Sequence, residues 1–502
     1  MALGTLSGVL LIDERMSMTI LVLGSTGYVG GRLIPRLIEQ GHRVRCLVRD
    51  PQKAMARPWS AQAEIVRGDV LEADSLGPAM DSVDVVYYLI HSMATGLSRF
   101  EQLDREAAQN VAQAAAKFSV KQIVYLGGLG QSGADLSAHL RSRREVGQIL
   151  REGDVPVTEF RAAVVVGSGS LSFELIHHLV NRLPAMICPR WVFTRTQPIG
   201  IRDVLRYLVE AAGNREAMGR AFDIGADDIM SYGEMMMNVA KLLGLKRLLV
   251  SVPLLTPRLS SYWVNLVTPI QARTARALID SLRHETICEN DDARRVFDFE
   301  PERFEQAARR ALGRYHDSNV ETVWTDASTI VEHAAVDPSH LRLDERELIV
   351  NAPTEVVFDV ISSIGGDNGW YYGDWLWKLR GFIDKQLGGV GLRRGRRHPS
   401  QLRSGDALDF WRVAEFEPGR RLLLRAEMKV WGEAWLEFLV EPNGESGSRL
   451  KQIAKYYPRG LFGLMYWYIV YPVHVLVFGG LIKAIAGRSE AVSINEFLTE
   501  RP

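Results

Sequence analysis

The sequence predicts an α/β protein in two parts: a doubly wound parallel sheet with a small additional lobe, then an α+β domain. Over the first half, short apolar runs alternate with helical patterns, the signature of repeated βα units. The first of these runs ends in a glycine-rich turn that opens a helix. After about residue 345 the pattern changes to β-like runs separated by turn residues, closed by a long apolar stretch.

At 502 residues the chain is too long for one core, and roughly three domain-sized units are expected. Hydrophobic residues make up 47%, charged residues 24%, and the formal net charge is zero. That balance excludes a nucleic-acid binder, which needs a basic excess to displace phosphate counterions. Cys46, Cys188 and Cys288 lie far apart, with no CxxC and no histidine cluster at ligand spacing. They predict free thiols in a reducing compartment, without disulfide framework or metal site, and a cytoplasmic location follows. Residues 1–17 lack a basic n-region and a small-residue cleavage site, so they read as a disordered or misassigned extension, with Met16 or Met18 as alternative starts. The expected division is then 18–315 for the first unit with its lobe, 316–344 for a linker and 345–490 for the second domain.

TILVLG, from Thr19 to Gly24, is a short run suited to a strand buried on both faces. Gly24, Gly27 and Gly30 follow in GSTGYVGG, and RLIPRLIEQG continues as a helix to Gly41. A tight turn, close backbone approach to a pyrophosphate and close helix–strand packing are the three roles that glycines at this spacing fill. HRVRCLVR is the second strand. It ends at Arg49, with Asp50 next and Lys53 close behind, where an NAD enzyme places a carboxylate on the ribose 2′-hydroxyl. A guanidinium there suits a 2′-phosphate, so NADP(H) is the preferred cofactor and NAD(H) the alternative. EIVRGDV gives a third strand, with Asp69 placed to face the adenine amino group. DVVYYLI is a fourth, ending at His91, which should open into the crevice at the strand ends. QIVYLG is a fifth, followed by a helix carrying His139 and Arg143 one turn apart.

GSTGYVGG, the strand-end Arg49, RGDV, VVVGSGS and QPIGIRDVLRYL together resemble an atypical, extended short-chain dehydrogenase/reductase of the NmrA-like, YbjT-type group. The Rossmann-fold accessory subunit of respiratory complex I is related to that group. The resemblance covers about residues 18 to 315 and implies a cofactor-binding set. That set is Gly24, Ser25, Thr26, Gly27, Tyr28, Val29, Gly30, Arg49, Lys53, Asp69, Val70, Leu89, Ile90, His91, Gly127 and Arg143. Active members of the superfamily begin the helix after the fifth strand with a Tyr-x-x-x-Lys pair and end that strand with a serine. Here His139-Leu-Arg-Ser-Arg143 stands at the pair and Gly127-Gly128 at the serine. Arginine keeps the charge that can hold a nicotinamide ribose, and a histidine can donate a proton near neutral pH. His139, Arg143 and His91 are therefore the candidate catalytic residues, with the usual hydroxyls missing.

From about residue 196 the chain resembles the substrate lobe of extended reductases, and VPLLTPRLSSYWVNLVTPI, apolar and proline-punctuated, is expected to line a cleft. RELIVNAPTEVVFDVISSIGG then reads as strand, turn and helix, and Pro418-Gly419 and Asn443-Gly444 punctuate an antiparallel meander. This order, with its terminal helix, resembles the helix-grip fold of START-like, polyketide-cyclase-like (SRPBCC) domains. The tract WYYGDWLWKLRGFIDKQLGGVGLRRGRR resembles the domain fused behind YbjT-type reductases. Such folds cup an apolar, lipid-like ligand. Trp370, Tyr371, Tyr372, Trp375, Trp377, Trp411, Trp431 and Trp435 are the candidate lining residues, or else core. GLRRGRRHP is a solvated basic loop or an anionic headgroup site. Residues 461–482 carry no charge and are long enough to cross a bilayer, for which about 20 apolar residues suffice. Central aromatics, Pro472 and His474 favour burial against the sheet, with peripheral contact at the inner face of the cell membrane, or a span across it, as the alternative.

The expected function is an NADPH-dependent oxidoreductase acting on a lipophilic carbonyl, enone or quinone-like substrate. A non-catalytic NADP(H) sensor or assembly factor, and a membrane-associated lipid-binding protein, are the two alternatives.

Overall fold

The structure, a computed structural model, describes residues 17–90, 100–130, 136–252, 264, 268, 270, 272–316, 320–324, 341–386, 389–391, 396–398, 400–444, 447–458 and 460–499. The amino-terminal half is built on β1 (Thr19–Leu23), β2 (Arg43–Val48), β3 (Glu64–Arg67), β4 (Val85–Tyr88), β5 (Gln122–Gly128), β6 (Val157–Ala162) and β7 (Ala221–Ile224). They form one sheet in the order β7-β6-β5-β4-β1-β2-β3, and every neighbouring pair is parallel. The order reverses between β1 and β4, which opens a crevice beyond the carboxyl ends of both.

Strand β1 shows why the sheet sits inside. Alternation sends Ile20 and Val22 into one hydrophobic layer and Leu21 and Leu23 into the other. Each such fully buried side chain contributes about 1.5–3 kcal/mol. The helices covering the two faces include α1 (Gly30–Glu39), α2 (Pro51–Met55), α3 (Ala73–Met80), α4 (Phe100–Lys117) and α5 (Ala138–Glu152). A lobe follows with α6 (Leu171–Arg182), α7 (Ile201–Ala211), α8 (Tyr232–Leu242), α9 (Ala272–Ser281), α10 (Asp292–Phe297) and α11 (Phe304–His316). The expected cleft segment 252–270 lies outside the described residues apart from Val252, Val264, Thr268 and Ile270.

Residues 320–324 depart from the expected linker. Arg32 of α1 donates from Nε to Thr322 Oγ1 at 2.7 Å and from NH2 to the carbonyls of Thr322 (3.1 Å) and Ser168 (2.8 Å). Thr322 Oγ1 in turn donates to the carbonyl of Tyr28 at 2.8 Å, and Trp324 N–H to that of Gly169 at 2.8 Å. The segment is thus a strap over the glycine turn, held by these polar bonds and by the apolar burial of Val320 and Trp324. Residues 325–340 lie outside the described residues.

The second domain is a six-stranded antiparallel sheet of β8 (Arg342–Val350), β9 (Ala407–Leu408), β10 (Trp411–Glu417), β11 (Arg421–Ala426), β12 (Gly432–Asn443) and β13 (Gly447–Pro458). Its order is β8-β13-β12-β11-β10-β9. Gly419 and Gly444 take φ of +75° and +73°, the turn positions that the sequence marked. Among the described residues the α-helices beside the sheet are α12 (Thr354–Ser362), α13 (Asp374–Gln386) and the 40-residue α14 (Gly460–Thr499).

The aromatic set divides. Trp377, Trp411 and Trp435 border a slot of about 110 Å³ between α13, α14 and the sheet. Trp370 is core, its Nε1 donating to Asp409 at 2.8 Å, whereas Trp375 and Trp431 face outward. Arg396 and Arg397 of the basic loop are engaged internally, Arg397 with Asp406 at 3.2 Å and Arg396 with the Ile364 and Ser362 carbonyls. All-round burial of residues 461–482 holds for one face only. Trp467, Val477, Phe478, Leu481 and Ile482 are buried, and Phe462, Met465, Tyr468, Ile469 and Leu476 are exposed.

Candidate functional site

A cavity of about 470 Å³ lies at the carboxyl ends of β1 to β6, on the crevice that the strand order creates. Gly24, Ser25, Thr26, Gly27, Tyr28, Val29 and Gly30 form its floor between β1 and α1. Gly24 sits at φ +87°, and a Cβ there would lie 2.7 Å from the Leu89 carbonyl oxygen. A Cβ at Gly30 would lie 2.3 Å from the Gly24 carbonyl oxygen, so this glycine serves packing between turn and helix. At Gly27 a Cβ would meet only the Gly24 carbonyl oxygen, at 3.2 Å, and would otherwise enter open space. The turn therefore leaves bare backbone at the amino end of a helix facing a cavity, which fits a dinucleotide pyrophosphate.

The other walls follow strand by strand. Arg49 borders the cavity at the end of β2 and is exposed. Asp50, the next residue, is occupied as the cap of α2, accepting from Gln52 N at 3.0 Å and Lys53 N at 3.4 Å. No carboxylate at that strand end is turned to a ribose. Lys53 is a correction: its side chain is buried away from the cavity, and a Cβ on Gly405 of the second domain would touch its Cε at 3.1 Å. Being three residues after a strand end did not fix its side, because α2 starts at Pro51 and turns it toward the other half. Asp69 and Val70 line the cavity after β3, with Asp69 Oδ1 accepting from Leu71 N at 3.1 Å. Leu89 and Ile90 line it after β4. His91 lies outside the described residues.

At the far end stand Gly127, Gly128, His139 and Arg143. The Arg143 guanidinium ties two strand ends together, donating to the Ile90 carbonyl at 3.0 Å and to the Leu126 carbonyl, and it lies over the Tyr125 ring at 5.0 Å. It is 8% exposed and set to position backbone, with one edge on the cavity. His139 Nδ1 lies 3.0 Å from Ser281 Oγ, which itself donates to the Ala277 carbonyl at 3.0 Å. Burial, reinforced by the Arg143 cation, pushes the His139 pKa down to about 4. The expectation of an imidazole titrating near neutrality is thereby overturned: His139 is neutral at pH 7.

Sequence reasoning missed several wall residues. Ala162 ends β6, Ala163 and Val165 follow it, and Ser170, Leu171 and Ser172 open α6. Thr274 and Leu278 come from α9 and Trp324 from the strap. The VVVGSGS tract was visible as a motif, but no local signal tied Thr274, Leu278 or Trp324 to a site about 300 residues before the last of them. Arg57 also went unnoticed; it is buried behind the glycine turn, with NH2 donating to the Thr26 carbonyl at 3.4 Å. Among the described residues no cluster of three or more metal-ligating side chains occurs.

Residues 24–163 match a family model described as NAD(P)H-binding, and residues 338–481 match a protein of unknown function, DUF2867. The photosystem II assembly factor Ycf39 of Synechocystis sp. is 35% identical over 109 residues, 22% of this chain and 33% of that protein. A 3 beta-hydroxysteroid dehydrogenase/Delta 5-->4-isomerase of Mycobacterium tuberculosis is 30% identical over 132 residues, 23% of this chain and 35% of that one. The chain thus spans about a third of the length of these curated relatives. Among solved structures, the Citrobacter sp. triphenylmethane reductase complexed with NADP(H) superposes with a TM-score of 0.48 at 16% identity, over 58% of this chain and 99% of that one. The Bordetella bronchiseptica enzyme WbmG in complex with NAD gives 0.48 at 19% identity, over 62% and 98%. The NAD(P)H-binding match thus falls on the glycine turn and strands β2 to β6 of a sheet of Rossmann architecture, and the DUF2867 match falls on the second domain.

Proposed function

We propose that this chain is an NADPH-dependent oxidoreductase for a lipophilic carbonyl, enone or quinone-like substrate, held or delivered by its second domain. One observation carries the reading: a single cavity joins a glycine cradle, flanked by Arg49, to an end walled by Leu103, Leu171, Leu278 and Trp324. The cradle and Arg49 suit a pyrophosphate and a 2′-phosphate, and the apolar end suits a greasy reducible group. With Asp50 occupied as a helix cap, nothing at the end of β2 favours a 2′-hydroxyl over a 2′-phosphate. Bound NADPH would supply hydride. Arg143 fixes the ends of β4 and β5 beneath that region, and His139, neutral and donating from Nδ1 to Ser281 Oγ, leaves Nε2 as an acceptor for a substrate hydroxyl or a water. The proton that completes reduction then comes from water, since a neutral His139 with no proton on Nε2 has none to give there. The slot between α13, α14 and the sheet of the second domain suits an apolar ligand.

A second reading rests on the missing hydroxyls. Gly127-Gly128 and His139/Arg143 leave no serine or tyrosine in the usual places, as expected of an NADP(H) sensor or assembly factor. Titration with NADPH and NADH, followed by NADPH oxidation against a panel of quinones and enones, separates the two. Turnover of any panel member supports the reductase, and tight NADPH binding with no turnover across the panel supports the sensor.

A further inference from the structure

Helices α13 and α14 lie side by side, with Arg380 of α13 donating to the Tyr466 hydroxyl of α14 at 3.4 Å and both walling the same slot. Each buries one face and leaves an apolar face uncovered. On α13, Trp375, Leu379, Phe382 and Ile383 fall at i, i+4, i+7 and i+8, one helical stripe, and all four are exposed. On α14, Phe462 and Ile469 are each 71% exposed, and Met465, Tyr468 and Leu476 join them. Trp431, 55% exposed, packs against Tyr466 and extends the surface. Val473 both lines the slot and is exposed, so the slot's rim belongs to this surface.

Charge chooses among coverings. From Gly460 to Ile482 there is no charged residue, and the exposed charges beside the stripe include Lys378, Lys429 and Lys483. Nearby acids are engaged: Asp384 is fully buried and accepts the backbone N–H groups of Gly391 and Lys429, and Asp374 accepts that of Trp370. Aromatic and aliphatic side chains with a lysine rim and few free carboxylates complement an anionic lipid surface, whereas protein interfaces are depleted in lysine. Depth is limited by the other face. Trp467, Val477, Phe478 and Leu481 are buried, and Gln452 of β13 donates to the Phe478 carbonyl at 3.0 Å. A spanning helix would have to abandon that packing.

We propose that the joined outer faces of α13 and α14 dock the protein on the surface of an anionic bilayer, lying in the headgroup region without crossing it. The proposal is independent of the reductase reading, and NADPH affinity serves as its control. The test is flotation of the full chain with vesicles of phosphatidylcholine alone or mixed with phosphatidylglycerol, at low and high salt. The wild type should float with the mixed vesicles and be retained several-fold less as salt rises. Phe382→Glu with Ile469→Glu should lower partitioning about tenfold or more with unchanged NADPH affinity. Lys378→Glu with Lys429→Glu should lower it at least about 25-fold on mixed vesicles only, at roughly fivefold per lysine. Should the glutamates unfold the domain, Trp375→Ser with Phe462→Ser tests the same faces. The proposal is overturned if the wild type floats with neither vesicle, or if folded variants float as it does. It is equally overturned if Phe382→Glu with Ile469→Glu converts a dimer to a monomer in light scattering, which would assign the surface to a second copy.

Discussion

Replacing Gly27 and Gly30 separately by alanine should split two roles that a glycine motif usually confounds. At Gly30 the new Cβ would stand 2.3 Å from the Gly24 carbonyl oxygen, 2.9 Å from its carbon and 3.1 Å from Ser25 Cα. Backbone cannot swing aside as a side-chain tip can, so α1 must shift by about 1 Å to restore an ordinary contact. Overpacking of this kind costs about 1–3 kcal/mol, which lowers the melting temperature of a domain this size by roughly 2–5 °C. At Gly27 only one atom, at 3.2 Å, opposes the methyl, so stability should change by less than about 1 kcal/mol. The methyl instead takes the space where pyrophosphate meets backbone, and NADPH affinity should fall about a hundredfold, some 2.7 kcal/mol. Thermal unfolding followed by circular dichroism and NADPH fluorescence titration measure the two quantities on each variant. Wild-type NADPH affinity in Gly27→Ala, or equal destabilisation by both substitutions, would refute this division of roles.

Arg49→Ala should weaken NADPH about tenfold, or about 1.4 kcal/mol, and leave NADH unchanged; an unaltered NADPH:NADH ratio in calorimetric titrations would remove Arg49 from the 2′-phosphate. The pKa of His139 in the folded chain, about 4, lies below its ordinary value of 6.5, so the folded state binds fewer protons than the unfolded one. Its contribution to stability is therefore present above pH 6.5 and lost as pH falls toward 4. The depression sets a ceiling of about 3 kcal/mol, and partial exposure reduces the expected loss to about 1–2 kcal/mol. Urea unfolding at both ends of that window should show this loss in wild type and not in His139→Phe. Thr322→Val removes a hydroxyl that accepts from Arg32 and donates to Tyr28, leaving buried polar groups unpaired. It should cost about 1–3 kcal/mol in unfolding and weaken NADPH as well, because Tyr28 belongs to the turn.

Legibility in the sequence tracked the range of the cause. Gly24, Gly27 and Gly30, the alternation of β1 to β5 with helices and the turns at Gly419 and Gly444 depend on backbone needs expressed within a few residues, and each was readable. Lys53 was misplaced because its side is set by packing against Gly405, some 350 residues later. The state of His139 depends on enclosure by a wall that includes Ser281, and nothing in SAHLRSRREVG records it. Residues 320–324 showed no period because five residues are too few for one, and their anchor, the bonds from Arg32 to Thr322, leaves no hydrophobic repeat. For α14 the difficulty ran the other way. An all-round apolar helix has no period to show which side the sheet takes.

The strap held by Arg32 makes the covalent joint between the two halves part of the nucleotide pocket. A polypeptide cut after His316 would keep the whole parallel sheet, yet it would lack Trp324 from the pocket wall and the Thr322 hydroxyl beneath the turn. The same joint supplies a thermodynamic link. If cofactor tightens the turn, it also tightens the first residues leading to the second domain, and anything that tugs those residues must alter cofactor affinity by the same factor. Occupancy of the pocket and the freedom of the DUF2867 domain are then two readings of one equilibrium.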